Sequence, residues 1–194
     1  ININDQNILI DTSPDLRDQL YKAKCTKIDA VLFTHEHSDH IAGLPDMRAM
    51  SLINKSIIPA YSSETIRDSL LNNYKFIFEG QKDYIPFMNL NIIQDSFSIG
   101  NTNIKTFKHN HGSIDVQTYR INNFAYSTDI KNFYENDLDK LKNLDLWIVG
   151  LLRYDPHPSH AGFDQILDYI NYLKPKRTLF THMTALLDQE DLLS

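Results

Sequence analysis

The chain has 194 residues, of which 42% are hydrophobic and 23% charged, and its formal net charge is −6. This length and composition predict one soluble globular domain spanning residues 1–194. The acidic balance argues against general nucleic-acid binding, which depends on clustered Lys and Arg. There is no run of about eighteen apolar residues that would predict a membrane span. The lone Cys25 cannot form an internal disulfide, which favours a reducing, cytoplasmic location.

Apolar runs and helical stripes alternate at both ends of the chain, and short strands fill its centre. Strands are predicted at 8–10, 28–33, 57–61, 90–93, 104–107, 116–121, 124–127, 146–151 and 178–180. Helices are predicted after Pro14, after Ser63, near 134–141 and at 163–173. The pair Asn122-Asn123 indicates a hairpin turn. This order predicts an α/β fold with two sheets and helices outside them.

Three histidines and an aspartate lie within six positions directly after the predicted strand 28–33. They are His35, His37, Asp39 and His40. Imidazole nitrogen and carboxylate oxygen both suit zinc, and carboxylate also suits manganese. The segment therefore predicts a metal site at the end of a buried strand.

Three further candidate ligands follow other predicted strands. His111 comes after the strand 104–107, Asp129 after 124–127 and His182 after 178–180. Side chains delivered by several strand ends can converge on one point, and rigid strands hold such a site better than free loops do.

The segment from His35 to His40 matches the HxHxDH signature of the metallo-β-lactamase superfamily. His111-Gly112, Ser127-Thr128-Asp129 and Thr181-His182-Met183 match its later motifs. The stretch 152–160, with 175–178 and the His182 motif, resembles the phosphoribosyl cyclic phosphodiesterase branch. The resemblance runs from about residue 8 to residue 182.

The resemblance implies a four-layer αβ/βα sandwich that lacks some terminal strands and binds two divalent ions, Zn²⁺ or Mn²⁺. One ion would be bound by His35, His37 and His111. The other would be bound by Asp39, His40 and His182, with Asp129 as the bridging carboxylate.

The implied reaction is hydrolysis of a small cyclic phosphodiester, such as a phosphoribosyl cyclic phosphate, by a hydroxide that bridges the metals. His160 matches the family histidine that contacts the phosphate and protonates the leaving group. Asp39 counts with it among the catalytic residues. The expected partner is a small molecule; neither a membrane nor a nucleic acid is expected, and a homodimer is left open.

Four side chains keep two interpretations each. His109 could be a ligand in place of His111. His157 either contacts substrate or shapes its loop, and Arg153 either binds phosphate or forms a structural salt bridge. Asp11 either contacts a metal-bound histidine or caps a helix.

Other functions remain alternatives. A tRNA 3′-end-processing endonuclease of the same superfamily would need a basic RNA-gripping arm, which this acidic sequence does not display. Thioester hydrolase, lactonase and β-lactamase are further options, but the stretch 153–160 favours phosphate esters. A non-catalytic metal-binding or cofactor-biosynthesis carrier protein on this fold is the alternative from another class.

Overall fold

Short parallel strands joined by helices build the first part of the chain. The computed structural model describes residues 1–185 and 187, and it divides the chain into two units, 1–102 and 103–194. The first unit contains a five-stranded sheet in the order β1-β2-β3-β4-β5, in which β2 to β5 pair in parallel. Its strands are β1 (Asn2–Ile3), β2 (Gln6–Ile10), β3 (Ala30–Leu32), β4 (Ile58–Ser62) and β5 (Met88–Ile92), and β6 (Ser96–Ile99) follows them.

Helices of the first unit bury their apolar stripes in a core of their own. They are α1 (Leu16–Lys22), α2 (Ser38–Ile41), α3 (Met47–Asn54) and α4 (Glu64–Phe78), with a 3-10 turn at Leu44–Asp46. The Ser63 hydroxyl accepts a hydrogen bond from the Ile66 amide at 3.4 Å, which caps α4 as the sequence predicts. All three residues of β3 are buried, as expected for a central strand of a parallel sheet.

Six strands of the second unit form a sheet in the order β10-β7-β8-β9-β11-β12. They are β7 (Thr102–His111), β8 (Ile114–Ile121), β9 (Phe124–Ser127), β10 (Asn132–Phe133), β11 (Leu146–Gly150) and β12 (Thr178–Thr181). β7, β8 and β9 are antiparallel neighbours, whereas β9, β11 and β12 run in parallel. The helix α5 (Phe163–Leu173) connects β11 to β12, and Trp147 lies fully buried in the core of this unit.

The mixed α/β class with two sheets is confirmed, and one predicted helix is wrong. Residues 134–141 contain only a 3-10 helix at Leu138–Leu141, preceded by the two-residue strand β10. Asn136 adopts a left-handed conformation with φ +66°, which interrupts any helix there. The strand β6 was not predicted from the sequence. The single domain 1–194 stays a prediction, because each unit has its own core.

The Asn122-Asn123 hairpin is present, since Ile121 pairs with Phe124 across it and Asn122 has φ +53°. Among the described helices, none combines the length and the apolar character that crossing a membrane requires.

Candidate metal centre

In the first unit, the loop after β3 brings three imidazole rings together. The His35 ring centroid lies 4.5 Å from that of His37 and 4.1 Å from that of His40. His35 and His40 are buried, whereas His37 is exposed and precedes the first turn of α2. An Asp39 carboxylate oxygen lies 3.3 Å from His40 Nε2. The predicted ligands of this segment therefore form one cluster within the unit.

Asp11 orients this cluster from the end of β2. Its Oδ2 atom lies 2.7 Å from His40 Nδ1 and accepts a hydrogen bond from the Thr34 hydroxyl at 2.7 Å. The same hydroxyl lies 3.0 Å from His35 Nδ1. A carboxylate only accepts, so the Thr34 hydroxyl donates to Asp11 and accepts from His35, and His40 donates to Asp11 directly. Both rings therefore carry a proton on Nδ1, and Nε2 is the nitrogen that can coordinate a metal.

The contact of Asp11 with His40 answers one question that the sequence left open. The residue before α1 is Asp15, so Asp11 does not cap that helix. Asp11 has φ +59°, and its amide donates to the Leu32 carbonyl at 2.8 Å. The neighbouring parallel strand β3 thus fixes the backbone that carries this carboxylate.

In the second unit, three imidazoles converge on one oxygen of Asp129. The Oδ1 atom lies 2.9 Å from Nε2 of His160, 3.3 Å from Nε2 of His182 and 3.9 Å from Nε2 of His111. The Thr128 hydroxyl donates to Oδ2 at 2.7 Å and so keeps Oδ1 turned toward the rings. Asp129 is only 3% exposed, so this charge is strongly felt by its neighbours.

Ser159 orients two of these rings through two different atoms. Its carbonyl oxygen lies 2.8 Å from His111 Nδ1, and its hydroxyl lies 3.0 Å from His160 Nδ1. A carbonyl can only accept, so the proton of neutral His111 is on Nδ1 and its Nε2 is available as a ligand atom. The same hydroxyl lies 2.9 Å from His157 Nδ1, which links that ring to the cluster.

Two histidines of the second unit have depressed basicity. Complete burial lowers the pKa of His109 to about 4. The hydrogen bond to the Thr128 carbonyl raises this pKa, but by less than burial lowers it. Desolvation lowers the pKa of His157 as well, and the charge of Arg153 acts in the same direction. The His109 ring is therefore neutral near neutral pH.

The donor chemistry fits a divalent metal ion in both units. Each unit offers imidazole nitrogens and a carboxylate, which are ordinary zinc ligands. In the second unit, His111, Asp129 and His160 each place a ligand atom within 4.8 Å of the other two. The Nδ1 atoms of His35, His40 and His111 are all engaged by oxygen atoms, which is how metal-bound histidines are usually held.

Arg153 and His157 lie in the loop after β11, where the sequence placed them. The Arg153 guanidinium donates to the carbonyl oxygens of Asp155 at 3.2 Å and Pro156 at 3.0 Å, so it stabilises its own loop. These bonds are not the salt bridge that the sequence offered as an alternative to phosphate binding. The His157 carbonyl accepts from Lys131 Nζ at 2.7 Å, while the His157 ring faces His160 with centroids 5.5 Å apart.

Apart from Asp11, sequence reasoning missed the residues that orient the ligands. Thr34, Thr128 and Ser159 each neighbour a ligand or His160 in the chain, and that adjacency was the available signal. The bond from Ser159 to His111 joins residues 48 positions apart, which no local pattern could have indicated.

Imidazoles and carboxylates cluster at strand ends on both sheets of this mixed α/β fold, an arrangement suited to binding divalent metal ions. A family profile described as a beta-lactamase superfamily domain matches residues 6–183. The chain therefore belongs to the metallo-β-lactamase superfamily, whose fold is generally hydrolytic, and the resemblance inferred from the HxHxDH motif is confirmed.

Three proteins show how far the similarity to this chain extends. An octanoyltransferase of Porphyromonas gingivalis is 30% identical over 96% of this chain, which spans only 39% of that relative's length. The crystal structure of a diphosphatase from the PhnP family superposes with a TM-score of 0.90 at 29% identity, over 98% of this chain and 74% of that chain. Human tRNase Z, short form, superposes with a TM-score of 0.71 at 17% identity, over 94% of this chain and 83% of that one, which supports the fold alone.

Proposed function

We propose that the protein is a metal-dependent phosphodiesterase that cleaves a small cyclic phosphodiester, such as a phosphoribosyl cyclic phosphate. The observation that carries this proposal is the position of His160, whose Nε2 lies 2.9 Å from the Asp129 carboxylate. An imidazole in this position can deliver a proton beside the candidate metal ligands. The 29% identity to a diphosphatase of the PhnP family supports a phosphate ester as the substrate.

The proposed cofactors are two divalent ions, Zn²⁺ or Mn²⁺. Their proposed ligands are the seven residues of the sequence prediction, namely His35, His37, Asp39, His40, His111, Asp129 and His182. When bound, such ions lower the pKa of a water molecule and neutralise the charge that builds up on phosphorus. The grouping of these ligands into one dinuclear centre rests on the family resemblance.

His160 is the proposed general acid of the reaction. The acid form needs a proton on Nε2, the ring nitrogen that lies 2.9 Å from the Asp129 carboxylate. The Ser159 hydroxyl beside Nδ1 holds the ring in place, so that Nε2 remains directed toward the ligands. Because its side chain is 14% exposed, His160 can exchange its proton with solvent between turnovers.

The test is His160→Ala, with Asp155→Asn in the same loop as the matched control. We expect turnover of a cyclic ribosyl phosphate and of bis(p-nitrophenyl) phosphate to fall by about 10²- to 10⁴-fold in His160→Ala, while the metal content is unchanged. Elemental analysis would measure the metal. Loss of an ion would reassign His160 as a ligand, and unchanged turnover would contradict its role as the acid.

A second candidate function is thioester hydrolysis, which the similarity to an octanoyltransferase favours. That relative's name describes a chain much longer than the matched region, so the acyl chemistry can belong to the rest of it. A panel containing a cyclic ribosyl phosphate, an octanoyl thioester, a lactone and a precursor tRNA separates these functions. Preferred hydrolysis of the thioester or the lactone would contradict the phosphodiesterase proposal.

The proposed partner is a small molecule rather than a nucleic acid, because the net charge of −6 disfavours the phosphate backbone. A reducing, cytoplasmic location agrees with the single unpaired Cys25. Light scattering on the same preparation would measure whether two copies of the protein associate.

A further inference from the structure

A buried line of hydrogen bonds crosses the sheet of the second unit. It ends at the carbonyl of Thr128, the residue before the proposed ligand Asp129. Trp147 Nε1 donates to Ser127 Oγ at 3.1 Å, and the Ser127 and Thr118 hydroxyl oxygens lie 3.0 Å apart. The Thr118 hydroxyl lies 2.9 Å from His109 Nδ1, and His109 Nε2 lies 2.7 Å from the Thr128 carbonyl oxygen. All of these residues are 0% exposed.

The chemistry of the two ends fixes the direction of the line. The indole N–H of Trp147 can only donate, and the carbonyl of Thr128 can only accept. His109 must therefore carry its proton on Nε2, and its Nδ1 must accept from the Thr118 hydroxyl. Ser127 Oγ accepts from the indole, and its contact with the Thr118 hydroxyl joins the two ends of the line.

This arrangement distinguishes His109 from His111. The neutral His109 ring has no lone pair left for a metal, because Nε2 is protonated and Nδ1 is occupied. His111 holds its proton on the opposite nitrogen, through the Ser159 carbonyl, and turns Nε2 toward Asp129. Two histidines two residues apart thus have opposite tautomers, each set by its own oxygen partner.

The peptide that His109 holds joins Thr128 to Asp129. Asp129 has φ +52°, a left-handed conformation that residues other than glycine rarely adopt. The hydrogen bond from His109 holds the oxygen of this peptide, and the close packing of Gly150 confines its nitrogen. The contacts of this peptide with His109 and Gly150 therefore fix the direction of the Asp129 side chain.

We propose that His109 is a positioning residue that holds Asp129 through the Thr128 carbonyl, with its other ring nitrogen supported by the line from Trp147 through Ser127 and Thr118. This role rests on the proposed metal centre, since its benefit is a fixed direction for a metal-binding carboxylate. Outer partners of this kind typically contribute about 10- to 100-fold to metal affinity.

The tautomer is tested directly by long-range ¹H–¹⁵N correlation spectra of histidine-labelled full-length protein near neutral pH. We expect His109 to carry its proton on Nε2 both before and after addition of Zn²⁺. Observation of the Nδ1–H form would overturn the proposal. A coordination shift of a His109 nitrogen on adding Zn²⁺ would also overturn it, by making His109 a ligand.

The positioning role is tested by competition titration of Zn²⁺ against a chromophoric chelator. We expect His109→Leu to weaken Zn²⁺ binding about 10- to 100-fold. His109→Gln should recover most of the affinity, because its amide can donate to the Thr128 carbonyl. The Co²⁺ absorption spectrum at saturation should change in His109→Leu and return toward wild type in His109→Gln.

Thr118→Val keeps the shape of the core and removes one link of the line. Its matched control is Thr106→Val, because Thr106 is also buried and donates to Gln117 Oε1 and to the Thr118 carbonyl. We expect Thr118→Val to weaken Zn²⁺ binding and Thr106→Val to leave it unchanged. Equal losses in both variants would reduce the effect to general packing and overturn the proposal.

Failure of this inference is separable from failure of the proposed function. Wild-type Zn²⁺ affinity and an unchanged Co²⁺ spectrum in a folded His109→Leu variant would overturn only the positioning role. Wild-type protein that binds less than one zinc ion per chain would overturn the proposed function and this inference together.

Discussion

At the scale of single residues, the candidate ligands are defined by what holds their far ring nitrogen. His40 and His111 have Nδ1 against an oxygen that can only accept, and His35 reaches such an oxygen through the Thr34 hydroxyl. Each Nε2 is thereby presented as a lone pair with little rotational freedom. The conformational entropy of the rings is lost when the protein folds and not when the metal binds, and this raises the affinity for the metal.

Replacing Asp11 should therefore weaken metal binding without touching a ligand. Asp11→Asn can keep the bond from the Thr34 amide, but its NH₂ group cannot accept the His40 proton. We expect Zn²⁺ affinity to fall about 10- to 100-fold, measured by chelator competition. Asp15→Asn is the control, because Asp15 is exposed and bonds only to Ser13 and Gln19 through its side chain in the described contacts. Equal affinities in wild type and Asp11→Asn would show that Asp11 has no influence on the ligands.

At the scale of elements, the strand ends were predictable, whereas most of the residues that orient the ligands, Asp11 excepted, were not. Strand β3 followed by His35, and α5 at Phe163–Leu173, appear where the apolar pattern placed them, because such patterns are local. The irregular segment around Asn136 was predicted as a helix because its apolar residues recur at helical spacing. The left-handed backbone of Asn136 interrupts that helix, and the apolar pattern does not reveal it. His109 was recognised as a histidine near a ligand, but its partner Thr128 lies 19 positions away. Contacts at that separation depend on strand register, which the sequence alone does not fix.

Gly150 on strand β11 lets the backbone of this strand lie close to the backbone of Asp129, and a larger residue there should displace Asp129. A Cβ atom there would lie 2.9 Å from the Asp129 amide nitrogen and 3.2 Å from Thr128 Cα, and both are backbone atoms that cannot rotate away. We expect Gly150→Ala to displace Asp129 and weaken Zn²⁺ binding by at least about tenfold, with destabilisation of about 1–3 kcal/mol in urea unfolding.

The matched control for Gly150→Ala is Val149→Ala on the same strand. Val149 is fully buried, so its truncation also destabilises the core, but it places no new atom against Asp129. The prediction requires Val149→Ala to lose stability and keep its Zn²⁺ affinity. If both variants retain wild-type affinity, the close approach of β11 is a matter of packing alone.

At the scale of the whole molecule, the candidate metal ligands and their supports include buried negative charge beside imidazole rings. The chain has 25 acidic and 19 basic residues, and Asp11 and Asp129 are buried carboxylates beside histidines. In the absence of metal, this arrangement depends on imidazole hydrogen bonds for compensation. A bound divalent cation would compensate the same carboxylates more completely, and we expect it to bind the native state far better than the unfolded chain.

Metal ions should consequently stabilise the folded protein in proportion to their affinity for imidazole. Free Zn²⁺ at about one hundred times its Kd should add about 2.7 kcal/mol to the free energy of unfolding, and Tm should rise by roughly 5–10 °C. At equal concentration Mn²⁺ should stabilise less, because it is the weaker ion of the two for nitrogen ligands. Differential scanning calorimetry of chelated and reloaded protein measures both shifts, with His111→Ala as the variant in which the Zn²⁺ shift should shrink. A Tm that is independent of Zn²⁺ in the wild type would mean that these donors are arranged for hydrogen bonding alone.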